Sequence, residues 1–372
     1  MKTYLLSIGL LLVVGCQALH TKPTEVFYLK NEQTTHLKII ENLEARLFNS
    51  APPLITEDKI ITGNAQDGVR AFDTNGNEVW KKEVEAGIEG GFAYKDNRLY
   101  FGANNYMFYS LNLESGIEVW HFKTEGEVLS KPLLVNDRLY FVTGNNILYC
   151  LKAKDGSLIW RYKRNTRDIF TVRGAATPVI SQNRLFVGFS DGFFTAININ
   201  NGSLLWERNL ATSIKFKDVD ASAVVDGDTI YVSAYDSALY ALNNKEGRVL
   251  WSVDAGGSYP VAVVGNKIYY STSDSRLLVI EKQTGRITSE MQAKGIFQTA
   301  LVKDNLLFLA DSAGSVKTYD TNTDKMLKEF YPGHGVSSPL VSPDNSKSIY
   351  FLSFGANLFH LTYGWKPDLG VY

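Results

Sequence analysis

One phrase, written LYALNNKEGRVLW at residues 239–251, returns along the chain and constrains its fold more than any other feature. Aligned on its turn, it recurs as FYSLNLESGIEVW (108–120), LYCLKAKDGSLIW (148–160) and FTAININNGSLLW (194–206), with a copy one residue shorter, VRAFDTNGNEVW, at 69–80. Two eroded copies stand at 277–289 and 316–328, and NLFHLTYGW near residue 360 is an eighth, cut short. The tryptophans at 80, 120, 160, 206 and 251 are 40, 40, 46 and 45 residues apart. A period of this length marks a stacked or ring-shaped repeat architecture.

Each period carries two further strands ahead of the phrase. In KPLLVNDRLYFVTGNNILYCL a strand runs to Val135, an Asn-Asp turn follows, and a second strand covers Arg138 to Thr143. Alternating apolar residues bounded by Asn, Asp and Gly are hairpin signals. Four strands in about 40 residues, with no amphipathic helix, is the content of a propeller blade. The expected fold is therefore all-β, an eight-bladed β-propeller of four-stranded antiparallel blades. A solenoid is the alternative, but it needs caps and usually parallel strands. The last copy lacks its outer strand, so closing the ring requires one from elsewhere. The segment Thr34 to Glu41 is the expected donor, because a closed ring leaves no open edge. Leu37, Ile40, Leu43 and Leu47 would equally suit a helix.

The N-terminus reads as an address. Tyr4 to Val14 form an apolar run after Lys2, too short to span a bilayer and suited to a secretory signal. VVGC, Val13 to Cys16, is similar to the lipobox of bacterial lipoproteins, which implies cleavage before Cys16 and lipid attachment to its thiol. An ordinary signal peptide is the alternative. In such lipoproteins Gln17, rather than an aspartate, implies the outer membrane. The expected layout is a signal peptide at 1–15, a lipidated linker at 16–33, the propeller at 34–365 and a tail at 366–372. With Cys16 acylated, Cys150 has no disulfide partner and sits at a packed strand position.

Lys plus Arg number 38 against 39 Asp plus Glu, well mixed, which gives no electrostatic grip for nucleic acid. GFSDG at 188–192 matches G-x-S-x-G, but a nucleophile elbow needs a following helix, and here a strand follows. Ser190 is read as a hairpin residue. The five histidines, at 20, 36, 121, 334 and 360, show no metal-ligand spacing, and no phosphate-cradling loop appears. No catalytic residue, metal or cofactor is expected.

Two inter-blade connections break the pattern. Trp120 to Pro132 takes 12 residues and Trp251 to Pro260 takes 9, but Trp160 to Pro178 takes 18 and Trp206 to Ala223 takes 17. Both long connections belong to consecutive blades and leave the ring on one face, so their extra residues should form one exposed patch. The first carries Lys163, Arg164, Arg167, Ile169, Phe170, Val172 and Arg173; the second carries Ile214, Phe216, Asp218 and Asp220. Mixed Arg, Asp and aliphatic content on loops suits a protein partner. The alternative is internal bracing, with Arg173 paired to Asp218 or Asp220.

The phrase resembles the repeat of pyrroloquinoline-quinone propellers. GEVLSKP (126–132), TVRGAATP (171–178) and KDVDASAVV (217–225) more narrowly resemble segments of the BamB family, lipoproteins of outer-membrane β-barrel assembly. That resemblance implies a non-catalytic scaffold, lipid-anchored at Cys16 in the inner leaflet of the outer membrane and facing the periplasm. It implies docking on the periplasmic domains of the barrel insertase BamA through Val172, Arg173, Asp218 and Asp220. Phe170 stands where the family tends to have leucine. The chain is expected to be monomeric apart from that complex. A quinone dehydrogenase would carry vicinal cysteines, which Cys150, between Tyr149 and Leu151, does not supply. The other alternative is a periplasmic propeller that binds a small ligand or polysaccharide in its central funnel.

Overall fold

The computed structural model describes residues 25–37, 51–64, 68–164, 175–212, 217–297, 300–355 and 357–367. These form eight antiparallel sheets arranged as a ring of eight blades. Blade 3 shows the plan: Leu133–Val135 innermost, then Arg138–Thr143, Ile147–Lys152 and Leu158–Lys163 at the rim, each paired with the next. The inner hairpins turn as the Asn-Asp signal predicts. Asn136 and Asp137 have φ of 49° and 58°, and Asp96–Asn97, Gln182–Asn183 and Asp304–Asn305 repeat the pair of positive angles. Such turns match the right-handed twist of their strands.

The core is divided as the blades are. Eight apolar clusters lie one in each interface between neighbouring blades, from Ile61, Phe92 and Phe101 between blades 1 and 2 to Ile60, Phe72 and Leu352 between blades 8 and 1. Stability is therefore carried by side-by-side packing, and the ring must close for every blade to bury both faces.

The repeated tryptophan and glycine make that packing specific. Indole Nε1 of Trp80 donates to the carbonyl of Leu113 in the next blade at 2.9 Å. Trp120, Trp160, Trp206 and Trp251 donate likewise to Ala153, Ile199, Asn244 and Lys282 at 3.1–3.3 Å. Each indole lies on the turn glycine of the following blade. A Cβ on Gly116, Gly156, Gly202, Gly247 or Gly285 would stand 2.5–2.8 Å from the ring of the preceding Trp. Those glycines have φ of 66–75°, so the turn excludes a side chain twice over. Between blades 6 and 7 both the tryptophan and the glycine are lost. Blade 6 has Ser289 in the indole slot, and blade 7 has Asp324 in the glycine slot. Asp324 instead accepts hydrogen bonds from Tyr269 Oη at 2.7 Å and Lys267 Nζ at 2.6 Å of blade 6.

Ring closure differs from the expectation in position. The outer strand of blade 8 is Glu25–His36, paired along its length with Asn357–Pro367, from Glu25 opposite Pro367 to His36 opposite Asn357. Ser348–Leu352 is the next strand inward, and Val341 bridges to Tyr350 at the axis. The closing strand thus begins nine residues before Thr34, inside the stretch expected to be linker, and residues 38–41 lie outside the described part. Its second half, NEQTTH, is polar because a rim strand faces water, so it carries little apolar signal. Gly76 of blade 1 packs against Gln33 and Thr35 of this strand, the counterpart of the glycine–indole contact elsewhere. Trp365, the one tryptophan outside the repeat slot, meets Phe27 edge-on at 5.4 Å.

Candidate functional site

The inter-blade connections dive from the rim to the axis on one face, where their ends line a funnel of about 700 Å³. The lining follows a rule. Two residues before seven of the inner strands stand Pro52, Gly90, Lys131, Thr177, Ser222, Pro260 and Pro339, and two residues earlier in four of these connections stand Leu129, Ala175, Asp220 and Ser258. Alternate residues of an extended chain point the same way, so these positions form two rings. Lys131 is the charged member of the first ring among the described residues. Its side chain is exposed at the funnel, and partial desolvation by the surrounding wall pushes its pKa down.

The two long connections are tied to the framework and to each other. Arg164, at the start of the first, is a buried anchor. Its Nε donates to Asp191 at 2.5 Å, its Nη1 donates to Glu207 at 2.7 Å, and its guanidinium lies 4.5 Å from the Phe193 ring centroid. The second is held where the Leu210 carbonyl accepts from Tyr240 Oη at 2.9 Å and Ser237 Oγ at 3.1 Å. At the axial end Thr177 N–H donates to Ser222 Oγ at 2.9 Å, which joins the two connections there.

The candidate partner residues do not all sit where the sequence suggested. Phe170, Val172, Arg173, Ile214 and Phe216 lie outside the described residues. Asp218 is completely buried, not exposed. Its backbone carbonyl accepts from Tyr235 N–H at 2.9 Å, and the next residue, Val219, donates its N–H to Phe189 O at 3.2 Å. Those bonds pull the middle of the connection into the body of the protein. Asp220, two residues on, lines the funnel, with Oδ2 buried and without a hydrogen-bond partner. Burial, and then repulsion from Asp218, push its carboxyl from 3.8 up to about 8. The funnel residues Lys131 and Tyr259 were missed as a set. The blade alignment that revealed the repeat also lines up the residues before each inner strand, and that register was the available signal.

The family model described as "Outer membrane protein assembly factor BamB" matches residues 65–290 and 236–343. The chain belongs to the BamB family. A BamB from Kangiella koreensis is 39% identical over 230 residues, which is 60% of this chain and 59% of that relative. The chain thus matches less than two thirds of that curated relative's length. The crystal structure of BamB from Moraxella catarrhalis superposes with a TM-score of 0.77 at 15% identity, covering 90% of this chain and 100% of that one. A europium-containing methanol dehydrogenase superposes at 0.71 with 11% identity, covering 90% and 93%, so the ring itself is shared with enzymes.

In this member of the BamB family the motif-like serine is a framework residue. Ser190 is buried, and its backbone N–H and hydroxyl both meet Asn146 of the neighbouring blade, at 3.1 Å and 2.7–3.0 Å. Cys150 is fully buried in the cluster between blades 3 and 4, and burial pushes its thiol up to about 11. A thiol held in that form is a poor nucleophile.

Proposed function

We propose that this chain is a non-catalytic scaffold of outer-membrane β-barrel assembly, anchored by lipid on Cys16 and docked on the periplasmic domains of the barrel insertase. The observation that carries the reading is the pair of long connections, rooted at Arg164 and Leu210 and joined at Thr177–Ser222, in a chain of the BamB family. A rigid ring that presents two adjoining loops suits recognition of a folded partner. In this reading Phe170, Val172 and Arg173 supply the first loop's contacts. Asp220 supplies the second loop's acid, with Asp218 buried behind it. Arg173 offers a planar charged fork for a carboxylate, and Asp220, protonated in the free chain, gives up its proton to pair with a partner's cation on docking.

Co-purification with the insertase from membranes tests this. Arg173→Ala and Asp220→Asn should each lower recovery of the insertase more than tenfold, because truncating one side of a desolvated charge pair costs roughly 2–5 kcal/mol. Both variants should still melt cooperatively. Retained insertase binding by both would refute the docking site, and a lowered melting point for Arg173→Ala with binding intact would assign Arg173 to bracing.

Anchoring is tested separately. Cys16→Ala should move the protein from the membrane pellet to the soluble periplasmic fraction. Quantitative sedimentation of that variant with outer membranes in high salt would overturn the lipid anchor.

A further inference from the structure

The funnel has the anatomy of a ligand site. Its walls are largely apolar, with Pro52, Leu54, Phe92, Leu129 and Pro339 contributed by blades 1, 2, 3 and 8. Small-molecule sites are concave and mostly apolar, with a few polar groups that fix orientation. Here those groups lack protein partners. Lys131, exposed at the funnel, makes no hydrogen bond or ion pair with any described residue, and the Asp220 Oδ2 is buried and unsatisfied. A buried polar atom is normally satisfied in a folded protein, so the Asp220 oxygen in the cavity wall points to something that fills it.

The chemistry of the groups selects the occupant. Lys131 can only donate. Ser222 Oγ already accepts from Thr177 N–H, which leaves its own proton to offer. Asp220, with its carboxyl pushed up to about 8, keeps its proton at neutral pH and adds a donor rather than a repelling charge. Glu89, the other acid in the lining, already accepts from Asn104 Nδ2 at 2.9 Å. One ammonium and two further donors in the wall of the same funnel call for an acceptor with a single negative charge. A phosphate dianion would need more cations than Lys131 provides, and the apolar walls would waste a bare inorganic ion.

We propose that the axial funnel is a binding site for a carboxylate carried on an apolar body, with Lys131 as its counter-ion. Such a ligand places its carboxylate against the ammonium and its aliphatic or aromatic part against the prolines and Phe92. The site shares Asp220 and Ser222 with the second long connection, but Lys131 and Phe92 lie outside both long connections, so variants at Lys131 test the funnel separately from docking.

Saturation-transfer NMR on the purified full chain tests it, with 3-phenylpropionate and its uncharged amide as probes. The acid should bind the wild type and Lys131→Arg, and at least tenfold more weakly to Lys131→Met; the amide should not bind detectably. Equal binding of acid and amide, or unchanged binding by Lys131→Met, would overturn the assignment. Should Lys131→Met fail to fold, the acid-against-amide contrast and the arginine variant still decide. A pentapeptide with one glutamate between two phenylalanines, run against its glutamine twin, identifies the source. Displacement of the probe by the glutamate form alone supports an acidic segment of a polypeptide, and no displacement by either supports a free small acid. Displacement by both forms alike counts against the site.

Discussion

Gly156→Ala should lower stability by about 2–5 kcal/mol, although it adds only one methyl group at the rim. Two costs combine. At φ of 71° a side chain costs roughly 1–2 kcal/mol. The new Cβ would also stand 2.5 Å from Cε3 of Trp120, and overpacking of this kind typically costs about 1–3 kcal/mol. Gly265→Ala is the control, since its φ is 56° but nothing lies within 4 Å of the added Cβ. It should lose only the backbone part. The indole's share can be isolated by a cycle. On a Trp120→Ala background the clash disappears, so Gly156→Ala should there cost only about 1–2 kcal/mol. Denaturant melts of the four proteins measure this directly. If Gly156→Ala and Gly265→Ala cost the same, or if the Trp120 background leaves the cost unchanged, the glycine–indole contact does not hold the blades together.

That contact explains why the fold was so legible. A repeat whose Gly and Trp each serve a neighbouring blade must preserve both at fixed spacing, and the pairing of Ser289 with Asp324 shows the two slots relaxing together. The closing strand was harder to see because no repeat constrains it. Its partner is the far end of the chain, and its outer half answers to water rather than to a core. The candidate site divides along the same line. Loop length singled out the two long connections, because length survives in sequence, and their axial ends meet at Thr177 and Ser222; the extra residues lie outside the described part. The inward course of Asp218 and the funnel position of Asp220 depend on backbone hydrogen bonds to other blades, such as that between Asp218 and Tyr235. Composition carries no trace of those. Lys131 was quoted within SKP as part of a resemblance, yet its meaning needed the ring that puts Pro52, Ser222 and Pro339 around it.

Asp220→Asn should make the protein more stable at pH 8 and slightly less stable near pH 4. The carboxyl's pKa is raised from 3.8 to about 8 by burial first and by Asp218 second. Between those two values the folded chain holds a proton that the unfolded chain has released. Stability of the wild type therefore falls as pH rises through that window, with a slope of up to about 1.4 kcal/mol per pH unit. Below pH 4 both states are protonated and the group contributes nothing; above pH 8 the penalty is complete. An asparagine cannot ionise, so it removes the slope. Its amide N–H₂ in place of Oδ2 would be a poorly satisfied donor, at a cost of about 1 kcal/mol, which sets the small loss at low pH. Because Asp218 shares the burden, the gain at pH 8 should be about 2–4 kcal/mol. Melts of both proteins across pH 4 to 8.5 should give curves that cross. Parallel curves would mean that Asp220 is ionised throughout and solvated in the funnel, and would also remove the neutral donor that favours an anion there. Crossing curves together with lost insertase binding would make Asp220 a residue kept at the expense of stability, as expected of an acid held ready for a partner rather than for the fold.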